Sequence, residues 1–211
     1  MRRDFSPRWA LAFMTGLLLL VMLTRIPGLS TLQLDPDEVW SVWQSVDSPA
    51  LTILRTPYDW MPTYFLMMGA WTSMASSHPL AVLMFALLVF TISVPCAYQA
   101  GRILGGRGVG LVFAFGYSAL SYQLFISTYP RGNGAALALL PVVLWLTLRY
   151  LLRPTWRRAV IAALPTAFIS YVYLNAPVAL AFLTLFLLVL YGRRALHLWK
   201  PLLLAGVLVI P

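Results

Sequence analysis

Apolar positions in this chain gather into long runs separated by short polar joints. The runs at 9–26, 79–99, 108–128, 133–150, 157–174 and 176–191 each approach the twenty or so apolar residues that a helix needs to cross a hydrocarbon core. A seventh begins at 201 and meets Pro211 after eleven residues, too few to cross. The pattern predicts an all-α polytopic membrane bundle of about seven spans. It is one transmembrane domain over 1–211, either the N-terminal part or a shortened form of a longer protein. The joint over 27–78 is the long one. Within it, 61–76 is apolar enough to span, but is expected to lie as a helix in the membrane interface with its aromatic and Met residues facing lipid.

Composition agrees with the pattern. The 211 residues are 61% hydrophobic and only 10% charged, whereas soluble domains carry roughly a quarter charged residues. The net charge of +9 does not indicate nucleic acid, because the basic residues punctuate the apolar runs. Arg2, Arg3, Arg8, Arg102, Arg107, Arg149, Arg153, Arg157, Arg158, Arg193, Arg194 and Lys200 fall on one alternating set of joints; Arg25, Arg55 and Arg131 fall on the other. The positive-inside rule then puts the N-terminus in the cytoplasm and 27–78 outside a cell inner (plasma) membrane. That assignment requires 61–76 not to span. The first run resembles a signal peptide, but Thr24-Arg25-Ile26-Pro27 offers no small-residue cleavage site, so an uncleaved first span is expected. Cys96 is the only cysteine, and His78 and His197 lie far apart in sequence, so no metal site is expected.

The acids are distributed unevenly. Asp4 falls before the first run, and Asp35, Asp37, Glu38, Asp47 and Asp59 all fall in the 27–78 joint. Asp35-Pro36-Asp37-Glu38 reads as a helix start: Asp35 as N-cap, Pro36 at the first position, Glu38 closing a capping box. Val39, Val42, Trp43 and Val46 then form the apolar stripe of a helix lying on the membrane surface. The same start also suits Asp37 to general-base work on a bound substrate, and the two roles are compatible. On the same side, the junction over 127–137 carries Tyr129, Arg131 and Asn133. There Arg131 either grips a phosphate between Gly132 and Gly134 or snorkels to the headgroups. Arg55 is a weaker phosphate candidate. Tyr171, Tyr173 and Asn175 either line a pocket or form an interfacial belt.

The order of these parts resembles the membrane glycosyltransferases of the GT-C fold. This superfamily includes the protein O-mannosyltransferases and aminoarabinose transferases (glycosyltransferase family 39-like). The resemblance runs over about 9–211: an uncleaved first helix, an acidic pair opening the first loop, a Pro-aromatic interface helix, a helix ending in Gly101-Arg102-Ile103-Leu104-Gly105-Gly106-Arg107-Gly108, and a Tyr/Arg-bearing junction. It implies transfer of a sugar from a polyprenyl-phosphate donor to an acceptor outside the cytoplasm, with no other cofactor assigned. It implies that Asp37 is the base, that Glu38 supports it, and that Arg131 binds the carrier phosphate, with Tyr129 and Asn133 beside it. The family's Pro-Pro-Leu segment falls on Met61-Pro62-Thr63-Tyr64. No acid follows Asp59, where some members carry a second one. The partners implied are the bilayer and the lipid-linked sugar. The alternative is a non-catalytic GT-C-like subunit of a larger membrane complex. A transporter is disfavoured because no acid or lysine lies within a run.

Overall fold

The computed structural model describes residues 7–29, 33–46, 48–57, 61–120, 125 and 127–209. Arg2, Arg3, Asp4, Asp47 and Asp59 lie outside the described residues, and with them part of the expected charge pattern. The described residues form helices and connecting turns, with no strand among them. In chain order these are α1 (Pro7–Leu29), α2 (Pro36–Ser45), α3 (Pro49–Arg55), α4 (Pro62–Met74), α5 (Pro79–Gly105), α6 (Arg107–Ala119), α7 (Gly132–Leu152), α8 (Trp156–Val172), α9 (Ala176–Tyr191), a 3-10 turn (Gly192–Leu198) and α10 (Trp199–Val209).

Four helical stretches among the described residues are long and apolar enough to cross a membrane: α1, α5, α7 and the run Ala176–Val209. The expected spans at 108–128 and 157–174 appear as α6, with 13 residues, and α8, with 17. At 1.5 Å per residue these rise about 20 and about 26 Å, short of a hydrocarbon core of about 30 Å. The run Ala176–Val209 is not one rod. Its backbone breaks at Gly192 (φ 54), and the Tyr171 hydroxyl at the end of α8 donates to the Leu208 carbonyl (2.8 Å). Leu208 has therefore returned to the level at which α9 began.

α5 and α6 pack as an antiparallel hairpin, and α7 runs alongside α5 in the same direction. Gly106, at φ 89, reverses the chain from α5 into α6 with a backbone that only glycine adopts freely. Tyr117 on α6 stacks on Phe90 of α5 (5.1 Å between centroids) and donates to the Ala138 carbonyl of α7 (2.9 Å). Small residues make the contacts close: Ala135, Ala136 and Ala138 on α7, and Ala159, Ala162, Ala163 and Ala167 on α8, are all buried. Lipid is as apolar as leucine, so such close approach, rather than expulsion of water, holds membrane helices together. Arg25 adds a polar tie. It is buried (7% exposed), donates to the Ser127 hydroxyl (2.8 Å) and the Ser118 carbonyl (2.7 Å), and lies 5.0 Å from the Phe90 ring centre. Arg102, Arg107, Arg149, Arg153, Arg157, Arg158, Arg193, Arg194 and Lys200 gather at the end of the bundle away from α2, α3 and α4.

One expectation about the first joint is corrected. The aromatic and Met face of α4 does not look outward: Tyr64, Phe65 and Met68 are at most 2% exposed and belong to the core. They roof the bundle, with Tyr64 against Phe65 and Phe85, and Trp40 edge-on to Phe65. The reason is that α4 is hydrophobic around its whole circumference, so it can fill the gap between α2 and the bundle. In α2 the polar stripe of Glu38, Ser41, Gln44 and Ser45 is buried, while Val39, Trp43 and Val46 point away from the protein. That outward apolar face is the one expected to meet the membrane.

The crossing of α2 and α4 depends on Gly69. A Cβ there would stand 2.5 Å from the Ser45 carbonyl oxygen. Because that neighbour is backbone, it cannot rotate away. Gly69→Ala is expected to lose more through overpacking, about 1–3 kcal/mol, than the roughly 1 kcal/mol it gains in helix propensity. The check is a lower melting temperature in detergent, against Gly16→Ala, where nothing lies within 4 Å and no loss is expected.

Candidate functional site

The end of the bundle that carries the acids is built by α2, α4 and the ends of α7 and α8. The start of α2 behaves as its residues predict. Asp35 is extended (φ −72, ψ 166), and its carboxylate accepts from the Glu38 amide (2.9 Å). The Glu38 carboxylate accepts in return from the Asp35 amide (2.9 Å). This reciprocal capping box satisfies two backbone donors that the first turn leaves open. Ser41 donates to the Asp37 carbonyl (2.9 Å), which ties up the next turn.

The box divides the two acids of the pair. Glu38 is committed to the cap and buried at 5% exposure. Burial pushes its carboxyl above the ordinary glutamate range; the Asp35 amide offsets part of this, the charges of Asp35 and Asp37 add to it, and Arg131 opposes it. Asp37 points the other way, and its Oδ2 accepts from Arg131 Nη2 at 2.6 Å. The side chains of Arg131 and Asp37 are 24% and 65% exposed. An ion pair this open to solvent is worth at most about 1 kcal/mol.

Arg131 stands immediately before α7, in extended backbone. Its Nη1 donates to the Tyr129 hydroxyl, its guanidinium lies 5.3 Å from the Tyr129 ring centre, and Tyr129 packs on Phe125 at 4.6 Å. One edge of the guanidinium is thus held by a tyrosine and the other by a carboxylate. The expected junction residues Tyr129 and Arg131 therefore come together with Asp37, while Asn133 lines the cavity beside Arg131. Arg131 is neither snorkelling nor free: it is paired with the acid expected to act as base. Arg55 is not part of this group. It sits at the end of α3 with its guanidinium 5.2 Å from the Trp43 ring centre, on the outward side of α2.

Beside Arg131 lies a cavity of about 350 Å³, lined by Ser41, Met61, Tyr64, Phe65, Arg131, Gly132, Asn133, Val172, Tyr173, Leu174 and Asn175. A roomier groove of about 490 Å³ runs between α8, α9 and α10, but no ionisable side chain lines it. Tyr173 and Asn175 thus line a pocket, and the Asn175 side-chain amide donates to the Tyr173 hydroxyl (3.3 Å). Gly132 serves a purpose other than ligand approach: a Cβ there would stand 2.8 Å from the Val172 carbonyl, so its bareness lets α7 begin against the end of α8. The aromatic residue that the sequence reading did not single out is Tyr64. Its hydroxyl is buried without a hydrogen-bond partner, an arrangement costing about 1–3 kcal/mol. Burial, with the Glu38 charge adding to it, pushes that hydroxyl well above the ordinary tyrosine range, so it stays a neutral donor. Only its position in the Met61-Pro62-Thr63-Tyr64 segment signalled it in advance.

Among the described residues no group of three or more His, Cys, Asp or Glu side chains is close enough to hold a metal ion. Comparison with protein-family models, curated proteins and solved structures finds no match to this chain.

The Glu38 environment makes a pH prediction. Its folded carboxyl keeps its proton to higher pH than the unfolded one. The resulting stability is fully present below the ordinary value of 4.5 and lost as pH rises through the raised value. Wild-type protein is therefore expected to gain melting temperature on mild acidification. Glu38→Gln keeps an acceptor for the Asp35 amide and should remove that gain; equal slopes for the two proteins would exclude Glu38 as its source.

Proposed function

We propose that the chain is a glycosyltransferase of the GT-C type, or the N-terminal part of one, that uses a polyprenyl-phosphate sugar as donor. The observation that carries this reading is the meeting of Asp37 and Arg131, 94 positions apart, beside a cavity large enough for a sugar. A general base and a phosphate-gripping cation are the two groups that such a transfer requires. The acceptor hydroxyl gives its proton to Asp37, and its oxygen forms the new bond to the sugar's anomeric carbon. The bond from that carbon to the phosphate oxygen breaks, and its electron pair leaves on the polyprenyl phosphate, which Arg131 holds. Attack opposite the leaving group inverts the anomeric centre. Glu38 contributes by fixing the turn from which Asp37 projects, and Tyr129 by holding Arg131. Arg55 has no part in it.

The accompanying topology is also a proposal. α6, α8 and α9 cross together with α1, α5 and α7, the bilayer thinning locally where α6 and α8 are short, and α10 turns back part of the way as a seventh, incomplete passage of an inner membrane. The basic end faces the cytoplasm, as the positive-inside rule requires, and the cavity faces the opposite side.

A second reading is favoured by one feature of the same geometry. The Asp37–Arg131 pair joins α2 to α7, so it would serve equally as a staple in a non-catalytic subunit of a larger membrane complex. Three variants separate the readings. Asp37→Asn in the native full-length protein is expected to lower transfer from a polyprenyl-phosphate sugar about 10²–10⁴-fold, while Asp35→Asn leaves turnover within a few-fold. The exchanged pair Asp37→Arg/Arg131→Asp restores a staple but not a base. If it recovered activity, or if Asp37→Asn kept full activity, the catalytic reading would be wrong.

A further inference from the structure

The proposed base and the proposed phosphate holder are paired with each other. While Asp37 Oδ2 accepts from Arg131 Nη2 at 2.6 Å, the carboxylate is turned to the guanidinium rather than to an acceptor. Because Nη1 already donates to Tyr129, Nη2 is the terminal nitrogen on which a phosphate held by Arg131 would meet the carboxylate. The two anions compete for one edge of one cation.

The surroundings of the pair make that edge exchangeable. The opposite edge of the guanidinium is held independently by the Tyr129 hydroxyl, and Tyr129 is braced on Phe125. Arg131 can therefore change partner at Nη2 without leaving its place. Asp37 is the more open member of the pair, at 65% exposure, so it can swing into solvent with little hindrance. Its neighbour Glu38 cannot take over, because the capping box binds it to the Asp35 amide. A phosphate offers more negative charge and more acceptor oxygens than one carboxylate, and an arginine fork suits both.

We propose that the Asp37–Arg131 pair is a donor-operated latch: an anionic phosphate displaces Asp37 from Arg131, and only then is the carboxylate free to act as base. The inference rests on the reading of Arg131 as the phosphate holder. It implies that the base is idle until the donor is seated, so the donor binds before the acceptor is activated.

The test is equilibrium binding of undecaprenyl monophosphate to the full-length protein in nanodiscs of neutral lipid. Asp37→Asn removes the competing charge and is expected to bind about two- to fivefold more tightly than wild type, the range set by a solvent-exposed ion pair. Arg131→Gln and the double variant are expected to lose binding together. Infrared difference spectra on adding the lipid should show a carboxylate band in wild type that Asp37→Asn abolishes, which reports the release directly. If Arg131→Gln binds as well as wild type, or wild type does not bind, the phosphate-holder reading fails and the latch with it. If Arg131 is required but Asp37→Asn binds no more tightly than wild type, the latch alone is overturned.

Discussion

The seating of α4 at the end of the bundle is the constraint on which the rest of this end depends. α4 meets α2 where Gly69 lies on the Ser45 carbonyl, and α5 where Trp71 donates to the Ala81 carbonyl (2.7 Å). Tyr64 packs near Gly132, where α7 begins against the end of α8. Every element that supplies a cavity residue is thus referenced to one thirteen-residue helix. Its position is held by the burial of Tyr64, Phe65 and Met68 and by the absence of side chains where backbones cross. A helix apolar on all sides suits this role, because each of its faces has a different protein neighbour.

Much of the local structure could be read from the residues in order. Asp35-Pro36-Asp37-Glu38 announces a capped helix start because every group in the box lies within four positions, and the cap forms as those residues require. The long apolar runs announce α1, α5 and α7 for the same kind of reason. What could not be read was orientation. The stripe of Val39, Val42, Trp43 and Val46 was recognisable as one face of α2, but only packing tells that Val42 leans on the core and that the polar face of Glu38, Ser41 and Gln44 turns into the protein. α4 has no polar stripe, so its pattern gave no inward side. The span lengths were overestimated at 108–128 because apolar residues continue past Leu120, where the backbone turns extended.

The candidate site was legible in its parts and not in its connection. Asp37, Glu38, Tyr129, Arg131 and Asn133 were all named from local signals and from the GT-C resemblance. Local signals cannot pair residues 94 positions apart, and each was assigned a separate partner. Their convergence alters the electrostatic picture: the Arg131 cation is already paired with the Asp37 carboxylate. It also distinguishes two carboxylates that are neighbours in sequence. Glu38 is buried and committed to backbone; Asp37 is open and committed to a guanidinium.

The separation between those partners has a consequence for biogenesis. Synthesis delivers α2 and α4 long before α7 and α8, yet Tyr64 gains its Gly132 neighbour only when α7 arrives, and Asp37 is paired only when Arg131 does. The first loop must therefore wait at the membrane surface with its eventual core face uncovered. Such intermediates are where helical membrane chains are exposed to misassembly and to quality-control proteases. The outward apolar face of α2 gives the waiting segment a resting place in the headgroup layer, and because that face stays outward in the finished fold, the contact with lipid is one the protein keeps.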